Sequence, residues 1–121
     1  MRYMMFVAID PEAEAEAELD DPDEDNIDEW VARHDASGAR VIGDRLRPVD
    51  DATTVRRRNG KVLVTDGPFA ESREWIVGFD ILECADLDEA IEIASQHPMA
   101  RGGRLELRPF WTDEEPGGST A

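Results

Sequence analysis

The sequence predicts a single α+β domain in which one antiparallel sheet, built in βαββαβ order with an inserted β-hairpin, carries both helices on one face. Three observations predict it. Two stretches repeat apolar residues at helical spacing, four others read as strands, and an Asn-Gly pair joins two β-branched runs in the middle of the chain. The length of 121 residues is that of one domain, and 40% hydrophobic residues supply enough apolar material for a core.

The first strand, residues 3–9, is apolar at both parities, as expected of a strand covered on both sides. Ile27, Trp30, Val31 and His34 then recur at i, i+3, i+4 and i+7, with Gly38 where a left-handed cap belongs, which predicts a helix over about 25–37. Residues 40–46 form a strand ending at Arg47-Pro48. Residues 53–58 and 61–65 form a hairpin, because Asn59-Gly60 accepts the positive φ angles of a type I′ turn. After the break at Asp66-Gly67-Pro68, residues 75–83 place Trp75, Val77, Phe79 and Ile81 on one face and Ile76, Gly78, Asp80 and Leu82 on the other. Asp86 and Glu89 have capping-box spacing, and Leu87, Ala90, Ile91 and Ala94 make the stripe of a second helix that stops before Pro98. The last strand alternates Arg104, Glu106 and Arg108 with Leu105, Leu107 and Pro109. The domain is therefore expected over 1–111, with an acidic insertion at about 10–25 and a flexible acidic tail over 112–121.

Helices on one face leave the other bare. Since monomers seldom expose a large contiguous apolar patch, that face is expected to bury itself against a second copy, giving a homodimer.

The 29 acids against 13 bases give a net charge of −16. Such a polyanion supplies little phosphate neutralisation, so nucleic acid and anionic membranes are not expected partners. Twelve acids lie between Asp10 and Glu29, and three more are Asp113, Glu114 and Glu115; without these fifteen, 14 acids face 13 bases, and the body is nearly neutral. Asp21, Asp23 and Asp25 have the alternation of a calcium loop, but Asn26 and Ala32 stand where that loop needs Gly and Glu. One cysteine, Cys84, forms no intrachain disulfide or Cys-based zinc site and is expected to be a small buried apolar residue. With no apolar run of membrane-spanning length and no cleavage-site pattern at the start, a cytoplasmic location is expected. Dinucleotide, P-loop, zinc-protease and serine-hydrolase motifs do not occur, and two isolated histidines offer no set of haem or iron ligands, so no cofactor or metal is expected.

The stretch Lys61-Val62-Leu63-Val64-Thr65-Asp66-Gly67-Pro68-Phe69-Ala70-Glu71-Ser72-Arg73-Glu74 resembles the signature of the YCII-related, DGPF-motif proteins. The resemblance extends to Gly43-Asp44-Arg45-Leu46-Arg47-Pro48, Ala52-Thr53-Thr54-Val55-Arg56, Asp86-Leu87-Asp88-Glu89-Ala90, His97-Pro98 and Glu106-Leu107-Arg108-Pro109. It implies a dimeric, ferredoxin-like α+β barrel. It also implies two functional classes. One is a small enzyme, lyase-, isomerase- or dehalogenase-like, acting on compact organic molecules such as chlorinated lactones or quinones through a His and an Asp. The other is a non-catalytic ligand-binding or regulatory module, linked to an extracytoplasmic-function sigma factor.

The residues distribute between these classes as follows. Asp66 either closes an Asx-type turn or presents a carboxylate to a pocket between sheet and helices. His97 closes the second helix, where the negative helix terminus favours an imidazolium; with Asp66 it is the first candidate for proton transfer. Glu71 is either a surface partner of Arg73 or the second acid of the pocket. Phe69 plugs the core or floors the pocket. Arg104 and Arg108, on one strand face, either hold a substrate carboxylate or pair with acids. His34 is expected to pack at the end of the first helix, and Trp30, Trp75 and Trp111 to anchor the core or an interface. Arg56, Arg57, Arg58 and Lys61 crowd the hairpin tip, pointing to alternate faces, and are expected to pair with the acidic insertion or a dimer mate.

Overall fold

The computed structural model describes residues 1–10, 26–67 and 75–112. The acidic insertion, the segment carrying Phe69 and Glu71, and the tail lie outside these residues. The elements follow the order β1 (Arg2–Ile9), α1 (Ile27–Ser37), β2 (Arg40–Arg45), β3 (Thr53–Arg58), β4 (Lys61–Asp66), β5 (Trp75–Glu83), α2 (Leu87–Ser95), α3 (Met99–Gly102) and β6 (Arg104–Pro109), with a 3₁₀ turn at Val49–Asp51.

Strands β2, β5, β1 and β6, in that order, form one antiparallel sheet, and β3 and β4 pair separately as a second. This strand order is the ferredoxin-like one, with the hairpin inserted between β2 and β5. The hairpin turns at Asn59 (φ 54°) and Gly60 (φ 75°), the two left-handed positions that a type I′ turn demands.

Alternation along the strands divides the sheet into two faces. Tyr3, Met5 and Val7 of β1 stand opposite Leu82, Asp80 and Gly78 of β5 and Pro109, Leu107 and Leu105 of β6. Tyr3, Met5, Val7 and Leu82 are buried together with Trp30, Ala90, Ile93 and Ala94 from the helices, while Leu105 and Leu107 pack against this cluster. Trp30, Met5 and Leu82 are fully buried, and burying side chains such as Met5 and Leu82 contributes roughly 1.5–3 kcal/mol each. A bulge between Val7 and Ala8 lets Val77 join the same core.

Helices α1 and α2 begin at side-chain caps: Asn26 accepts from the Glu29 N–H (2.9 Å) and Asp86 from the Glu89 N–H (2.9 Å). Glu89 Oε2 also accepts the Ala85 N–H, one residue before the cap, at 3.4 Å. The first helix thus starts at Ile27, where its apolar repeat begins and two residues later than the expected range, because Asn26 takes the cap.

The opposite face of the sheet presents Met4 and Phe6 of β1, Phe79 and Ile81 of β5 and Ile42 of β2, with Arg104, Glu106 and Arg108 along the β6 margin. Among the described residues no helix packs over it. No described helix is long and apolar enough to cross a membrane.

Candidate functional site

His97 lies just beyond α2 and is buried. Its Nδ1 accepts the Met99 N–H at 3.0 Å, which leaves that nitrogen unprotonated, and its ring meets the Trp30 indole edge-on at a centroid distance of 4.7 Å. The helix terminus was expected to favour an imidazolium; burial decides otherwise, lowering the pKa to about 4, so the ring is neutral near pH 7. Trp30 is the centre of this cluster. Its indole N–H donates to the Ile93 carbonyl at 2.9 Å, its ring also meets that of His34 at a centroid distance of 5.0 Å, and His34 Nε2 lies 3.2 Å from Gln96 Oε1. His34 is buried at the end of the first helix, as its place in the apolar repeat implies.

Asp66 ends β4 in the separate hairpin sheet, opposite Thr53, with its side chain in solvent. It forms no hydrogen bond with His97. The turn after it is held instead by Gly67, whose N–H donates to the Ala52 carbonyl at 2.7 Å and whose carbonyl accepts from Thr54 Oγ1 at 2.7 Å. Phe69 and Glu71 fall outside the described residues.

The structure assembles a charged cluster that sequence reading missed. Asp80 sits on the helix-facing side of β5, its side chain only 8% exposed, and its Oδ1 accepts from Arg40 Nε at 2.7 Å. Arg40 Nη1 also donates to Asp35 Oδ1 (3.0 Å) and Oδ2 (3.3 Å) at the end of α1. Gly43, opposite Asp80 in the register, leaves room for the carboxylate. Burial raises the Asp80 pKa by more than the Arg40 contact lowers it. Burial also opposes the charge on Arg40, but hydrogen bonds to Asp80 and Asp35 outweigh it and raise the guanidinium pKa. The signal was present in the strand: Gly78, Asp80 and Leu82 share the parity that faces the core, and an acid there requires a partner.

Arg104 and Arg108 lie on the open face, opposite Ala8 and Met4. The Arg108 guanidinium stands 5.8 Å from the centroid of the Phe6 ring and pairs with Glu106 at 3.0 Å. This margin combines an aromatic surface with positive charge, which suits a flat or compact apolar body bearing a carboxylate. Among the described residues no group of three or more His, Cys, Asp or Glu is arranged to hold a metal ion.

Residues 1–112 match the family model of the YCII-related domain. An uncharacterized protein of Rhizobium meliloti (strain 1021) is 43% identical over 68 residues, an alignment that covers 54% of this chain and 55% of that protein. The chain thus spans about half the length of this curated relative.

Proposed function

Because this chain belongs to the YCII-related domain family, we propose that it works as a homodimer closed through its open sheet face, binding a small organic acid in the space so enclosed. The ligand's apolar body lies against Met4, Phe6, Phe79 and Ile81, and its carboxylate turns toward Arg104 and Arg108. The observation that carries this reading is Arg108 held over the Phe6 ring at the edge of an apolar face that no described helix covers. A face of that kind seeks a second apolar surface, and a C₂ pair of identical sheets supplies one. Sedimentation should give a dimer. Benzoate should then raise the melting temperature more than benzamide, and Arg104→Gln with Arg108→Gln should erase the difference. Equal effects of the acid and the amide would refute the carboxylate site.

A second reading, an acid–base enzyme acting on compact lactones or quinones, is favoured by Asp80. A desolvated carboxyl whose pKa is raised by burial, beside an arginine, is the kind of group that acid–base chemistry uses. The His and Asp that the resemblance implies, here His97 and Asp66, with Glu71 as a second acid, would then need to converge with it around bound substrate. Turnover that survives Asp80→Asn unchanged counts against this reading.

A further inference from the structure

Among the described residues, a face of the β3–β4 hairpin that carries three valines is exposed. Register places Val55 opposite Val64 and Arg57 opposite Val62, and alternation puts Val55, Val62 and Val64 on one side of the ribbon. They are 64%, 57% and 62% exposed. A two-stranded ribbon is marginal in water on its own, and a β-branched stripe is the surface on which such ribbons find a partner.

Charge identifies that partner. Residues Thr53 to Asp66 hold four bases, Arg56, Arg57, Arg58 and Lys61, and the single acid Asp66. Among the described residues outside the hairpin, 14 acids face eight bases. A basic arm is complementary to the acidic remainder of another copy of the same chain. Each arm is net positive, with four bases and one acid, so two arms laid together repel, and the complementary surface is the remainder of the second copy. Reach permits it: six residues per strand give the arm about 20 Å, against roughly 15 Å for the three strand spacings of the main sheet.

We propose that the hairpin is a dimerisation arm whose Val55, Val62 and Val64 face rests on the body of a second copy, its Arg and Lys tip held by that copy's acidic surface. This deepens the homodimer reading and rests on it.

The test is amide hydrogen exchange on the full chain at concentrations below and above the dimer dissociation constant, the latter taken from sedimentation. Protection of β3 and β4 should appear only in the dimer. The variant Val55→Thr, Val62→Thr, Val64→Thr keeps β-branched residues but should weaken dimerisation at least about tenfold. Raised salt should weaken the wild-type dimer more than a variant with Arg56, Arg57 and Arg58 replaced by Gln. Unchanged protection of β1 and β5 certifies that each variant's body is folded. A dimer whose hairpin exchanges at the same rate at both concentrations, or a threonine variant that dimerises as the wild type does, overturns the arm and leaves the sheet-face dimer standing. A monomer at every concentration overturns both.

Discussion

The carboxylate of Asp80 occupies the space directly above Gly43. A Cβ built on Gly43 would collide with Asp80 Oδ1 and come within 2.7 Å of both Asp80 Cγ and Arg40 Nη2. The absence of a side chain on β2 is therefore what allows a charged pair beneath α1, and the two positions are energetically coupled. Gly43→Ala should destabilise the fold by about 1–3 kcal/mol, the range for forcing extra volume into a packed site. Adding Asp80→Ala removes the obstacle, so the double variant should be more stable than the sum of the single effects requires. Urea unfolding of the four proteins measures this, and strict additivity would show that the glycine is there for another reason.

Within that pair, Arg40 and Asp80 are not equivalent. Arg40 satisfies two carboxylates, one of them buried, so Arg40→Met leaves Asp80 charged, desolvated and alone. Loss of one partner from a buried ion pair costs about 3–5 kcal/mol. Asp80→Asn removes the charge that burial disfavours, keeps an oxygen for Arg40 Nε, and leaves Arg40 its contact with Asp35. Arg40→Met should be the more harmful by at least about 2 kcal/mol in denaturant unfolding. Equal effects would mean that solvent reaches Asp80 in the folded protein.

Local signals carried most of the fold. The repeat through Ile27, Trp30, Val31 and His34, the Asn59-Gly60 turn and the Asp86 cap each depend on neighbours within a few residues, and each element forms where its pattern lies. The site was harder to read, because its defining contacts join distant parts of the chain. Asp80 meets Arg40 across forty residues, and His97 meets Trp30 across the helix interface. His97 was placed correctly at the end of α2, yet its charge state depends on burial under Trp30, which no helix-end rule contains. Trp75 and Trp111, expected as anchors, are exposed in the single chain while Trp30 is fully buried. Residue type alone did not distinguish them; the stripe position of Trp30 did.

Acid should destabilise the protein through His97. Its folded pKa of about 4 lies below the ordinary value of 6.5, so the neutral ring is the form the fold prefers. Above pH 6.5 the ring is neutral in both folded and unfolded chains and contributes no pH dependence. As pH falls from 6.5 toward 4 the unfolded chain takes up the proton first, and about 3 kcal/mol of stability is lost. Asp80 acts in the opposite sense: its raised pKa means that the protonated folded form gains over this fall, which partly offsets the loss. The two are separated by His97→Asn, whose side-chain oxygen can still accept the Met99 N–H that Nδ1 accepts in the native protein. The variant should be less stable at pH 7, having lost the ring that packs on Trp30. Its stability should then fall far less than that of the wild type between pH 6.5 and 4. Unfolding curves at several pH values in that window decide it, and parallel losses in both proteins would show that His97 is protonated without leaving the fold.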